Sequence, residues 1–180
     1  MIRENTVGDL PEIDSTAWVD PSAVIIGDVK IGRNVFVGPT AVIRADEPES
    51  TIVIGDDVNL QDRVVIHALG GTAVTVGART SLAHGCIVHG PCDIGENCFI
   101  GFGTVVFESE VGDNVMIKHA AVVENAGIPP ERVVDSGGLV RCDDDVARLR
   151  HVDNNDREFM ANVVNANLEL VEGYRNGHDG

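Results

Sequence analysis

Residues 74–106 read VTVGARTSLAHGCIVHGPCDIGENCFIGFGTVV. Within them Val76, Leu82, Val88, Ile94, Ile100 and Val106 recur every six residues. A period of six fits neither one face of a helix, where neighbours lie three or four apart, nor one face of a single straight strand, where they alternate. The same period runs outward from this stretch in both directions. Upstream it takes in Val19, Ile25, Ile31, Val37 and Ile43, then, after a break, Ile54, Leu60 and Ile66. Downstream, after a slip of one residue, it takes in Val111, Ile117 and Val123. Seventeen aliphatic residues in register are hard to produce by chance.

Each hexapeptide is a short flat strand ending in a turn. The position four after an aliphatic is usually small or β-branched, as at Ala23, Val29, Val35, Ala41, Val58, Val64, Thr80 and Thr104. The position one after it is often glycine, as at Gly32, Gly38, Gly55, Gly77, Gly95, Gly101 and Gly112. Three such units close a triangular coil, and coils stack by backbone hydrogen bonds about 4.8 Å apart. The expected fold is an all-β solenoid, a left-handed parallel β-helix of hexapeptide repeats. Cys86, Cys92 and Cys98 fall in the small inward slot of successive hexapeptides, which reads as core filling rather than a metal cluster. Cys142 stands alone, so no disulfide is implied.

From about Asp143 the repeats stop. The segment REFMANVVNANLELVEGY has helical spacing, which places Phe159, Val163, Ala166 and Leu170 on one stripe. Asp156 and its asparagine neighbours suit the start of that helix, and Gly177 its end. The expected organisation is a β-helix over 1–142 and a C-terminal segment, 143–180, whose α-helix packs on it.

Composition narrows the class of partner. Twenty-nine Asp and Glu against 13 Lys and Arg give a net charge of −16, and the lysines are Lys30 and Lys118 alone. Such a chain repels nucleic acid and anionic membranes. Acid-rich, lysine-poor composition also resembles proteins of salt-loving organisms. No leader peptide or membrane span is legible, so a cytoplasmic protein is expected.

The histidines follow from the period. If the breaks after Ile43 and Ile66 are loops thrown out at one corner, then Ile43, Ile66 and Val88 share one wall, and Arg44, His67 and His89 form a column on it. Imidazoles of adjacent coils, about 5 Å apart at the backbone, can converge on one zinc. His84 follows Leu82 on the neighbouring wall and points away from that pair. To share the metal it must come from a second subunit, and a threefold trimer would repeat the site at each interface. His119, His151 and His178 stand outside this arrangement.

The residues IRADE, NLQDRVVIHAL and SLAHGCIVHGP, in this order and continued by IGENCFIG, VGDNV and NANLELVEGY, resemble the gamma-class carbonic anhydrases. The resemblance implies a homotrimer that hydrates carbon dioxide reversibly to bicarbonate through a metal-bound hydroxide. It implies His67, His84 and His89 as ligands to Zn2+, with Fe2+ or Co2+ as alternatives. It implies that Arg44 and Asp46 pair between subunits, and that Gln61, with Asn59 nearby, orients the hydroxide. Glu47 would serve proton transfer or substrate positioning, and Asn167 would complete the pocket. Two departures are visible. An acidic loop with a proton-shuttling glutamate follows the first ligand in the defining enzyme, whereas here HALGGTAVTVG is short and Gly70 takes that place. Asn165 stands where a tyrosine lines the pocket. This resembles the subclass that lacks the loop. Two other readings share the prism: a non-catalytic carbonic-anhydrase-like assembly protein, and a hexapeptide-repeat acyltransferase.

Overall fold

The computed structural model describes residues 1–177. Short strands stack into three sheets of eight, seven and eight strands, which form the walls of a prism; all pairs are parallel except Arg150–His151, which runs antiparallel to Arg132 and Val133 at the end of the third. Inward residues align coil upon coil. On the first wall the column runs Ile25, Ile43, Ile66, Val88, Val106 and Val123. On the second it runs Ile31, Ile54, Val76, Ile94 and Val111, and on the third Val37, Leu60, Leu82, Ile100 and Ile117. These side chains are almost wholly excluded from water, and burying each contributes about 1.5–3 kcal/mol. The fold is the left-handed β-helix with a C-terminal helix that the period of six predicts.

The small slot behaves as its residue types require. Thr80 and Thr104 donate their hydroxyls to the carbonyls of Gly95 and Lys118, each at 2.8 Å. Cys86, Cys92 and Cys98 are buried in the same core, and burial pushes the Cys86 and Cys98 thiols up to about 12. They are packing groups, not nucleophiles. The corner between the second and third walls turns on non-glycine residues in the left-handed conformation. Asn34, Asp57, Arg79, Asn97 and Asn114 have φ between +54° and +58°.

An extra coil precedes Val19. Ile2–Arg3 pairs with Ile25–Ile26, and Glu12–Ile13 pairs with Lys30–Ile31. The intervening loop hides the period, because Asn5 folds it by bonding the backbone and side chain of Asp9.

Helix α1 spans Asp143–Val146, and α2 spans Asn154–Gly177. Asp153 and Asp156 cap α2 reciprocally, each carboxylate accepting the other residue's backbone N–H at 2.9 and 3.1 Å. Asp156 also grips Arg150 through both oxygens. The buried stripe of α2 is Asp156, Met160, Val164, Asn167 and Val171. This corrects the expected stripe of Phe159, Val163, Ala166 and Leu170, which lies one residue away; Phe159 and Leu170 are 42% and 45% exposed. Hydrophobicity favoured the two large side chains, but the third wall offers Phe99, Met116 and Val133 to Met160 instead, and the wall's polar pocket admits Asn167. At its far end α2 is pinned by Tyr174, stacked 4.2 Å from Trp18. Among the described residues no helix is long and apolar enough to cross a membrane.

The three outer faces differ. The third wall is covered by α2. The second presents Glu12, Lys30, Val53, Thr75, Asp93 and Glu110, a mostly polar row. The first presents an unbroken aliphatic column: Val24, Val42, Val65, Ile87, Val105, Val122 and Leu139.

Candidate metal centre

Two residues along each first-wall strand from that aliphatic column lies a second outward one. Arg44, His67 and His89 are direct neighbours in it, as the spacing predicts. His67 Nδ1 lies 3.1 Å from His89 Nε2, with the rings edge to face. The remaining ring nitrogens, His67 Nε2 and His89 Nδ1, are buried and have no hydrogen-bond partner. Burial holds His67 below the ordinary imidazole range, helped by the Arg44 guanidinium and by His89, against the pull of Asp46 and Glu47. A neutral imidazole is the form that ligates a metal.

Both breaks in the period fall at one corner, between the first and second walls, and stack there. The first holds Asp46 and Glu47. Asp46 Oδ2 accepts from Arg44 Nη1 at 2.8 Å within the same chain, while Oδ1 lies 3.5 Å from His67 Nε2 and is otherwise unpartnered. Glu47 Oε1 is 3.6 Å from His67 Nε2, and Oε2 accepts the backbone N–H of Gly70 at 2.7 Å. Gly70 belongs to the second, shortened loop, so that loop now supplies a backbone donor to Glu47. Asn165 is exposed on α2.

At the opposite corner, between the third and first walls, successive coils stack Asp62, His84, Phe102 and His119. His84 Nδ1 is 3.4 Å from Asp62 Oδ2 and its ring lies 5.4 Å from Phe102. His119 stacks on Phe102 at 4.3 Å and accepts its backbone N–H. Thus His119 is a rung of this ladder, and His151 contacts Arg132; neither is without a partner. His178 lies outside the described residues. Asp62 was readable only as the neighbour of Gln61; its contact with His84 depends on two coils lying in register. As expected, His84 does not join the other two within one chain. Among the described residues no three His, Cys, Asp or Glu groups gather around a metal position.

A polar relay runs under α2. Asn167 Nδ2 donates to the carbonyl of Val163 at 2.8 Å, which fixes which end of its amide faces the wall. Asn167 Oδ1 then accepts from Gln61 Nε2 at 2.7 Å, and Asn59 Oδ1 accepts the other Gln61 proton at 2.8 Å. Both amide protons of Gln61 are consumed, so Oε1, an acceptor, is the atom it can offer to a ligand. One helix carbonyl thereby sets the polarity of three amides. Nearby, Ser81 Oγ is buried without a partner.

The donor set fits a divalent transition metal in part. Two neutral imidazoles with orphaned nitrogens stand together, and a third ligand from outside the chain would leave a coordination position open, as a catalytic site requires.

Stacked hexapeptide coils closed by a C-terminal helix, with paired histidines on one wall, define a hexapeptide-repeat protein of the left-handed β-helix class. Residues 11–45 and 73–108 match the bacterial transferase hexapeptide (six repeats) family. The carbonic anhydrase of Methanosarcina thermophila is 37% identical, over 97% of this chain and 81% of its own. The carboxysome assembly protein CcmM of Nostoc is 38% identical over 91% of this chain, which spans only 31% of that relative's length. A crystal structure of a Bacillus cereus protein described as a putative acetyltransferase superposes with a TM-score of 0.86 at 26% identity, over 98% of this chain and 97% of that one. The chain belongs to the gamma-class carbonic anhydrase family.

Proposed function

We propose that this protein catalyses reversible hydration of carbon dioxide at three metal sites shared between the subunits of a homotrimer. The reading rests on one observation above all: His67 and His89 present orphaned, buried nitrogens beside Glu47 and within a wall whose outer face is aliphatic. That face is the natural surface for a second copy, since the third wall is already covered and the second is polar. A neighbouring subunit's copy of His84 would complete the ligand set. Arg44 leaves most of its guanidinium donors unused by Asp46, available to bridge to the next subunit.

When bound, a divalent cation such as Zn2+, Fe2+ or Co2+ lowers the pKa of a water to about 7. The chain's own groups do the rest. Gln61 Oε1 accepts a hydrogen bond from the reacting water and orients its lone pair toward carbon dioxide. Asn59 and Asn167 hold Gln61 in that polarity. The overall change converts carbon dioxide and water into bicarbonate and a proton, and Glu47 receives the proton on its way to solvent. Gly70 offers no side chain to carry it further, so buffer takes over from Glu47. Asp62 Oδ2, 3.4 Å from His84 Nδ1, is placed to accept its N–H on assembly, which would leave Nε2 free to ligate.

The assembly reading has one observation in its favour, the 38% identity to a carboxysome assembly protein. Stopped-flow carbon dioxide hydration, with zinc- and ferrous-loaded protein over a range of buffer concentrations, separates the two. Metal-dependent hydration that rises with buffer supports the enzyme and its shortened proton path. Full metal loading without hydration transfers the site to the non-catalytic reading.

A further inference from the structure

The corner between the second and third walls faces away from the aliphatic first wall and is roofed by α2. Beneath the roof lies a cavity of about 230 Å3, lined by Arg79, Asn97 and Asn114 from three successive coils and by Arg157, Met160 and Val164 from the helix. We propose that this cavity binds a small organic phosphate monoester, independently of the metal centre.

Three observations carry the assignment. First, charge is concentrated against the trend of the chain: two of its 13 basic residues meet here in a protein of net charge −16. Second, their donors are largely unspent. Arg157 has one contact, Nη1 to Glu131 Oε1 at 3.2 Å, and Arg79 lies 4.0 Å from Asp57, beyond a hydrogen bond. Third, Asn97 and Asn114 hold the same left-handed turn in adjacent coils, about 4.8 Å apart at the backbone, and both line the cavity with the two arginines. Their backbone N–H groups are used in stacking, by Ala78 and Glu96 carbonyls, but among the described residues their side chains have no hydrogen-bond partner. Asn34, in the same column, donates its amide to Asp57 at 3.0 Å. The contrast identifies Asn97 and Asn114 as the open rungs.

Forked guanidinium donors and neutral amide donors around one space favour a multiply charged oxyanion. Met160 and Val164 make the roof apolar, which suits an ester carrying a hydrocarbon group better than free phosphate. Asp57 and Glu131 close the column at either end and would repel an anion that strayed along the groove.

The test uses the full-length protein and two probes, inorganic phosphate and phenyl phosphate, followed by calorimetry and thermal shift. Saturable binding is expected, tighter for phenyl phosphate and weakening with salt. Arg79→Ala and Arg157→Ala should each weaken it about tenfold or more, the loss of a charge-assisted bond. Asn97→Asp, which keeps a residue tolerant of the left-handed turn, should abolish it. Glu131→Gln removes the carboxylate that competes for Arg157 and should tighten binding, whereas a purely structural role for that pair predicts the reverse. No saturable binding by the unaltered protein, or equal affinity in the arginine variants, overturns the proposal.

Discussion

Ile87→Asp places a carboxylate in the middle of the aliphatic column on the first wall, two residues from His89 and on the same face. In a single chain Ile87 is 39% exposed, and its neighbours in the column are Val65 and Val105. Complete burial of such a side chain contributes about 1.5–3 kcal/mol, so covering the exposed fraction contributes about 0.6–1.2 kcal/mol per copy. A closed ring of three collects about 2–3.5 kcal/mol. The aspartate forfeits that and adds a desolvation penalty of several kcal/mol for each unpaired charge taken into the interface. Because the side chain points outward, the substitution opens no cavity in the core; the chain loses only the part of Ile87 already packed against Val65 and Val105, and the prism stays folded. Light scattering after gel filtration should therefore show a folded species at the chain mass of 19.1 kDa, with an unchanged far-UV spectrum. Equilibrium dialysis should show zinc lost with the trimer, since His67 and His89 alone remain. A trimeric mass in this variant, or monomers that hold zinc as tightly as the parent, would refute the shared-site reasoning.

Four further outcomes are expected. His84→Ala abolishes zinc binding although His67 and His89 are intact, and mixing its subunits with those of a His67→Ala variant restores part of it; atomic absorption on the reassembled trimers checks this. Asp62→Asn leaves the trimer mass unchanged and lowers zinc affinity about 10–100-fold, measured by chelator competition, because His84 loses its orienting acceptor. Asn167→Leu costs about 1–3 kcal/mol of stability, two neutral hydrogen bonds, while kcat for hydration falls about tenfold at nearly constant KM, as Gln61 becomes free to turn its amide over. Arg150 holds Asp156 at about 2, below its ordinary 3.8, so this pair stabilises the fold above that ordinary value and the contribution is lost as pH falls from about 4 to 2. Asp156→Asn should remove about 1–2 kcal/mol at neutral pH, allowing for the partly exposed Arg150, and flatten the acid limb of a thermal-denaturation profile.

What was legible in the sequence was whatever the period carries. Six-residue spacing placed His67 beside His89 and Arg44, because register in a stacked solenoid is arithmetic, and it put His84 on a different wall for the same reason. The arithmetic fails where the chain leaves the stack. The coil before Val19 is masked by a loop folded around Asn5. The face of α2 was set by fit to Phe99 and Met116, which hydrophobicity alone cannot weigh against an exposed Phe159. Contacts between successive coils at the corners were equally hidden: Asp62 with His84, His119 with Phe102, and Gly70 with Glu47 join residues that are 17 to 23 positions apart. The relay from Val163 through Asn167 to Gln61 combines both difficulties, since it needs the helix face and the wall at once.

The two loops at the corner between the first and second walls behave as an expansion joint. Each coil is closed by bonds to the coils above and below, so chain can be added at that joint without shifting any rung on either side. His67 and His89 would keep their spacing whatever emerged between Ala68 and Ala73. The rim of the site can therefore be rewritten independently of its floor. A longer, acidic segment spliced in place of Leu69–Gly70–Gly71–Thr72 would change how protons leave while leaving the ligand geometry untouched. On the proposed function, reaction rate and metal affinity would be separable traits in this architecture, open to change one at a time.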